Sequence, residues 1–163
     1  MNEKTVYLSL GSNLGEREDR LGQALEALER EGIAVVARSS IYETEPQDVV
    51  NQPWFLNMAV ECRARALPLQ LMNMLLRIER EIGRVRRANL QRGPRPIDLD
   101  ILLFGNAVIH LPQLTIPHPR MLQRRFVLEP LLEIAPDLRH PVTRELLRKY
   151  LPATLDQQVR LKR

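Results

Sequence analysis

Between Arg92 and Gly105 the chain alternates Ile97, Leu99, Ile101 and Leu103 with Asp98, Asp100, Leu102 and Phe104. A period of two is that of a strand, whose side chains point to opposite faces in turn. No other stretch constrains the fold as much. It puts Asp98 and Asp100 on one strand face, with Cα atoms about 6.5–7 Å apart, beside apolar neighbours. Two like charges so placed disfavour each other's ionisation. Protons, arginines or divalent cations would each relieve them. Hard oxygen donors of this kind suit Mg²⁺, which keeps several waters and adds substrate phosphates.

Arg84, Arg86, Arg87, Arg92 and Arg95 lead into this strand, and no acid lies between Arg84 and Arg95. A guanidinium fork matches phosphate oxygens with two donors at once. A lone Asp-x-Asp reads most simply as a structural salt-bridge partner. Five arginines and the Gly93-Pro94 turn leading into it favour a nucleotide triphosphate site instead.

The rest of the chain supplies a scaffold. Thr5 to Leu10 reads as a strand, ended by the turn residues Gly11, Ser12, Asn13 and Gly15. That turn could cradle an anion at a helix start, though a plain tight turn accounts for it as well. A helix follows from Glu16 with the stripe Leu21, Leu25 and Leu28, ending at Gly32. Ile33 to Tyr42 reads as a second strand, Thr44 to Pro53 as a loop, and Phe55 to Cys62 as a third strand. In that strand Leu56, Met58, Val60 and Cys62 face the core; Phe55, Asn57, Ala59 and Glu61 face away. Phe55 and Asn57 could stack on and hydrogen-bond a flat heterocycle, or be an ordinary surface pair. Pro68 opens a second helix with the stripe Leu71, Leu75, Ile78 and Ile82; Gly83 stops it. Glu79 falls off that stripe, exposed. Asn106 to Ile109 is expected to add a short strand. His118 sits between Pro117 and Pro119 in a shaped loop, followed by Arg120, Arg124 and Arg125. Val127 to Pro136 is apolar and structural, Thr143 to Tyr150 a final helix, and Arg160, Lys162 and Arg163 a solvated, frayed tail.

Gly93, Pro94, Arg95, Asp98, Asp100, Ile101 and Leu102 together closely resemble the motif of the 6-hydroxymethyl-7,8-dihydropterin pyrophosphokinases of folate biosynthesis. The opening Gly11-to-Gly15 turn and the Leu114-to-Arg120 stretch extend that resemblance over nearly the whole chain. It implies Mg²⁺-dependent transfer of pyrophosphate from ATP to the pterin hydroxymethyl group, giving AMP. By the same resemblance Asp98 and Asp100 hold two Mg²⁺ ions, and Arg84 and Arg95 act with them in catalysis. ATP would be met by Glu79, Arg84, Arg86, Arg95, Ile101, Thr115, His118 and Arg124, and the pterin by Thr44, Phe55, Asn57 and Phe126. Glu45, Arg92 and Pro119 depart from the family pattern. Glu45 stands where proline is frequent; Arg92 and Pro119 stand where aromatics occur.

The expected architecture is α+β: a ferredoxin-like βαββαβ antiparallel sheet, helices on one face, with a C-terminal helical extension. With 163 residues the chain is read as one domain, 1–163. A formal charge of +4 admits nucleic acid, membrane or a small polyanion as partner. The densest basic cluster lies beside the aspartates, so the expected partners are ATP and the dihydropterin, not nucleic acid or membrane. No stretch of about 18 apolar residues occurs. The start lacks the pattern of a secretory signal, and Cys62 is the only cysteine, so the cytoplasm is the expected compartment; a monomer is the expected state. A ferredoxin-like RNA-binding module is the main alternative, with Tyr7 and Phe55 as its stacking aromatics. A metal-dependent nuclease lacks a clear third carboxylate, and a Walker-type NTPase lacks its glycine-lysine motif.

Overall fold

The computed structural model describes residues 2–84 and 94–163. Its strands are β1 (Lys4–Ser12), β2 (Ala34–Arg38), β3 (Tyr42–Thr44), β4 (Phe55–Ala64), β5 (Asp98–Phe104), β6 (Ile109–Leu111), β7 (Leu114–Ile116) and β8 (Val159–Leu161). Its α-helices are α1 (Arg17–Arg30), α2 (Pro68–Ile82) and α3 (Arg125–Ile134). The main sheet runs β5-β1-β4-β3-β8, with β2 also paired to β4, and each of these pairings is antiparallel. A separate hairpin joins β6 to β7.

The expected second strand is two. β2 pairs with β4 as far as Arg38 opposite Val60, and β3 resumes at Tyr42 opposite Asn57. Ser39 causes the break: its amide donates to the Ala59 carbonyl and its hydroxyl accepts from the Ala59 amide. A side chain has taken over a ladder bond there, which serine does readily.

One face of the sheet packs on α1 and α2. Val6, Leu8, Leu10, Leu56, Met58 and Val60 meet Leu21, Leu28, Leu71 and Ile78 in a continuous apolar cluster. The helix stripes are those the 3.6-residue period predicts. The expectation of helices on one face only is corrected. Tyr7, Ala59, Leu102 and Leu103 form a second cluster with Val127, Leu128 and Leu131 of α3 and with Leu147. This C-terminal layer covers part of the opposite face and leaves the rest to polar side chains.

The strict alternation expected across β5 is also corrected. The pairing shifts by one between Tyr7, opposite Leu103, and Leu8, opposite Ile101. Leu102 is the extra residue of a bulge, which turns the strand about that point. Leu102 and Leu103 therefore both join the second cluster, and Phe104 returns to the first. Asp98 and Asp100 precede the bulge and keep the face opposite the α1–α2 core.

Expectations for the second half of the chain change or gain detail as well. The apolar Val127–Pro136 stretch lies largely within α3, which accommodates Pro130. The final helix is a 3-10 segment at Leu147–Thr154, later than expected, and it contains Pro152. Proline has no amide to donate in a longer α-helix. The tail is no frayed end: Val159, Arg160 and Leu161 pair with Thr44, Glu43 and Tyr42. The short strand expected at Asn106–Ile109 is displaced to the β6–β7 hairpin.

Candidate functional site

Three strands converge on the site. Gly11 of β1 lies between Asn57 of β4 and Asp98 of β5, and Ser9 lies opposite Asp100. A Cβ on Gly11 would stand 2.5 Å from the Asn57 Oδ1 atom, so glycine is what lets the amide lie across β1. Asn57 donates through Nδ2 to the Thr44 hydroxyl at 2.7 Å, which fixes its orientation. Both groups are buried.

Asp98 is the more tightly held of the two carboxylates. Its Oδ1 accepts from Arg84 at 2.7 Å, and its Oδ2 lies 3.6 Å from the Arg95 Nε. Arg84 arrives there because Gly83 adopts a left-handed conformation, φ 109°, at the end of α2. Only glycine takes that conformation readily. The Arg84 guanidinium also donates to Glu79 at 2.8 Å. Burial opposes charge on Arg84, but Asp98 and Glu79 outweigh it and hold its pKa above the ordinary value.

Glu79 was expected exposed and free to meet ATP; that placement is corrected. It is 1% exposed. One carboxylate oxygen accepts from Arg84 and from the Leu99 amide, both at 2.8 Å. Being off the apolar stripe did not put it in water, because β5 and Arg84 close over that side of the helix. It holds the start of β5 and the underside of Arg84.

Asp100 differs. Among the described residues its carboxylate takes no hydrogen bond or ion pair. Burial, then Asp98 and Glu79, push its pKa up to about 7, with Arg124 and Arg84 pulling the other way. The plain salt-bridge reading therefore fits Asp98 and not Asp100. The pair suits a hard divalent cation. No cluster of three or more His, Cys, Asp or Glu side chains that could hold a metal occurs among the described residues. Two carboxylates with no third protein ligand match an ion that keeps waters and takes phosphate oxygens.

The two acids border different cavities. Asp98 lines a pocket with Thr44, Phe55, Asn57, Arg95, Arg124 and Phe126, so all four residues assigned to the pterin share it. The Arg95 guanidinium lies 5.0 Å from the Phe55 ring centre, and that of Arg124 5.3 Å from the Phe126 ring centre. Asp100 lines a second groove with Ile101, Thr115 and His118, three of the residues assigned to ATP. The His118 Nδ1 accepts from the Arg120 amide at 3.2 Å, which leaves the ring proton on Nε2. Burial, then Arg124, lower its pKa to about 4, so His118 is a neutral donor near pH 7. Arg86, Arg87, Arg92 and Gly93 lie outside the described residues.

Sequence reading missed three contributors. Gly11 was taken as part of a turn, yet it is an in-strand gap for Asn57. Asn13, 2% exposed, ties both flanking loops. Its Nδ2 donates to Gln52 and to the Pro53 carbonyl, and its Oδ1 accepts from the Arg95 amide. Asp48 pairs with Arg120 and Arg124 at 3.5 and 3.7 Å. Only the pairing register of β1 with β4 and β5 could have exposed the first, and a loop residue such as Asp48 carries no periodic signal.

Comparison with known proteins agrees. Residues 7–136 match the model of the family described as 7,8-dihydro-6-hydroxymethylpterin-pyrophosphokinase (HPPK). The chain is 46% identical to the 2-amino-4-hydroxy-6-hydroxymethyldihydropteridine pyrophosphokinase of Bacillus subtilis, covering 85% of this chain and 82% of that one. It is 41% identical to the folic acid synthesis protein fol1 of Pneumocystis carinii over 98% of its own length, but spans only 21% of that longer protein. In fold it resembles the crystal structure of Plasmodium falciparum HPPK-DHPS wild type with pterin and p-hydroxybenzoate. The TM-score is 0.74 at 16% identity, covering 96% of this chain and 42% of that one. The chain belongs to the HPPK family.

Proposed function

We propose that this member of the family transfers the terminal pyrophosphate of ATP to the hydroxymethyl group of 6-hydroxymethyl-7,8-dihydropterin, releasing AMP. One observation carries the reading. Asp98 and Asp100 stand side by side on β5, one bordering the Phe55–Asn57–Phe126 pocket and the other the His118 groove. An alcohol bound on one side and a triphosphate on the other would meet at the carboxylate pair.

In this reading the pterin lies between Phe55 and Phe126, where Arg95 and Arg124 now cover the ring faces. Asn57, oriented by Thr44, addresses the edge of the heterocycle. ATP lies along Ile101 and Thr115, with the neutral His118 donating from Nε2 to a phosphate oxygen. Bound Mg²⁺, two ions in this proposal, would neutralise the triphosphate and lower the pKa of the attacking hydroxyl. Asp98 and Asp100 would hold them, Asp98 being kept in place from beneath by Arg84 and Glu79. Arg95 swings from the ring face toward the phosphates as charge develops there. Positioning and electrostatics account for the chemistry, as in other phosphoryl transfers.

The strand order β5-β1-β4 with β2 and β3 beyond, joined through α1 and α2, supports the ferredoxin-like reading, with residues 137–163 as its extension. A single domain over 1–163, acting as a cytoplasmic monomer, completes the proposal; buried, unpaired Cys62 agrees with a reducing compartment. No helix among the described residues is long and apolar enough to cross a membrane. The RNA-binding alternative is not supported. Tyr7 is buried under the C-terminal layer with its hydroxyl on Glu61, so it offers no stacking face. The test is to mix the protein with Mg²⁺, ATP and the hydroxymethyl dihydropterin. AMP and the pterin diphosphate are expected; ADP as the product, or no turnover, overturns the reading.

A further inference from the structure

The C-terminal segment from Gln157 to Lys162 lies beyond residue 136, where the match to the family model ends. Its bonds run to both walls of the Phe55–Asn57–Phe126 pocket. On one wall β8 extends the sheet beyond β3, with Val159 opposite Thr44. The Glu45 amide donates to the Gln158 carbonyl at 3.1 Å, and the Gln158 amide donates to the Glu45 carboxylate at 2.8 Å. The Lys162 amide donates to the Ile41 carbonyl at 2.9 Å. Arg160 lies 4.8 Å from the ring centre of Trp54, the residue before Phe55, and 3.6 Å from Glu43.

On the other wall Gln157 brackets Arg124. Its Nε2 donates to the Gln123 carbonyl at 2.8 Å, and its Oε1 accepts from the Arg125 amide at 2.9 Å. Its own carbonyl accepts from the Arg125 guanidinium at 2.9 Å. These bonds fix the start of α3, from which Phe126 and Arg124 reach the pocket.

The geometry points to a clasp: residues 157–162 set the separation between the Thr44–Glu45 wall and the Phe126 wall, and so position the flat substrate. Glu45 supports this. Its amide and its carboxylate both bond to the segment at Gln158. A proline at that position would lack both the amide and the carboxylate used. Gln157 and Glu45 are thus positioning residues for the heterocycle, acting through Phe126 and Thr44. The inference rests on the pterin assignment of that pocket.

The test compares the full chain, Gln157→Ala, Gln157→Glu and a chain ending at Asp156, by steady-state kinetics and by amide exchange. Gln157→Ala should raise the KM for the dihydropterin about tenfold, roughly one net hydrogen bond's worth. The KM for ATP should rise less, to about twofold, because of the residues assigned to ATP only Arg124 is bracketed by Gln157, while Ile101, Thr115 and His118 lie on other elements; kcat should stay within about twofold. Gln157→Glu keeps the acceptor for the Arg125 amide and should fall between. The shortened chain should lose about a hundredfold in pterin KM. If it does not fold, the Gln157 variants decide. Equal effects on both substrates, or an unchanged pterin KM with only a lower Tm, would overturn the clasp. Amide exchange separates the two proposals: exchange at Arg125 should accelerate in Gln157→Ala, and at Glu45 as well in the shortened chain. Unchanged exchange refutes the clasp whether or not the chain makes AMP, whereas absent AMP from the full chain refutes only the functional reading.

Discussion

Along β1, Val6, Leu8 and Leu10 point into the α1–α2 core while Tyr7, Ser9 and Gly11 point the other way, and the two faces have been put to different uses. The first face is apolar throughout and closed by helices. The second changes character along its length: Tyr7 is covered by the C-terminal layer, and Gly11 sits among Asn57, Asp98 and Phe55. The contrast teaches that a single sheet can keep its stabilising contacts and its charged side chains a strand's thickness apart. Asp100 can stand without an ion pair among the described residues because Leu99 and Ile101, its neighbours on the opposite face, anchor β5 in apolar surroundings.

The strongest attempt to break the contrast is to remove the carboxylates. Asp100→Ala should lower kcat by roughly 10²–10³-fold, as loss of a charge-stabilising group in a phosphoryl-transfer site does. Its Tm should hold or rise, since the change relieves repulsion with Asp98 and Glu79. Asp98→Ala should lose activity as severely but also stability, by about 3 kcal/mol, because buried Arg84 loses one of its two carboxylate partners. Denaturant unfolding beside kinetics separates the two; equal stability losses would show that the aspartates are not divided as the structure divides them. On the other face, Leu8→Ala should cost about 2–5 kcal/mol of stability. Turnover per folded molecule should change little, and a fall in kcat matching that of Asp100→Ala would erase the distinction between the faces.

How much of this was readable from residue order depends on whether the signal was periodic. The helix stripes and the facing of Leu56, Met58 and Val60 followed from spacing, and the Asp98–Asp100 pair announced itself as charge inside an apolar alternation. Phe55 and Asn57 stood out as a possible pair on one strand face, but a shared site with Thr44 and Phe126 was suggested only by family resemblance, since the four meet through the β3–β4 register and the start of α3. What failed was local. The bulge at Leu102 adds one residue to a period of two, and Ser39 breaks a strand by a side-chain bond. Glu79 is buried by a salt bridge that no helical wheel shows. Strand β8 was read as tail because three residues of mixed polarity form a strand only when an open edge such as that of β3 is there to receive them.

Gly11 offers a smaller and sharper test. An added methyl 2.5 Å from the Asn57 Oδ1 must displace that amide, because the backbone on either side is fixed in two ladders. Gly11→Ala should therefore raise the pterin KM by about tenfold, the loss of roughly one hydrogen bond. The KM for ATP should be unchanged. Equal shifts in both constants would mean that the two cavities are not independent across β5.

The smallest effect is one of pH, and it sets His118 against the carboxylates it accompanies. Its pKa lies at about 4 in the folded chain against an ordinary 6.5, chiefly through burial and then through Arg124. Above pH 6.5 the ring is neutral in both folded and unfolded states and contributes no pH dependence. Between 6.5 and 4 the unfolded chain takes up a proton that the folded chain refuses, so stability falls as pH falls through that window. Below 4 the contribution is flat. The ring resonances of His118 should thus stay unshifted down to about pH 4, and His118→Gln should flatten the acid limb of the stability profile. A His118 titration near 6.5 would mean that water reaches the ring freely, and the groove beside Asp100 would then be as open as any surface histidine site.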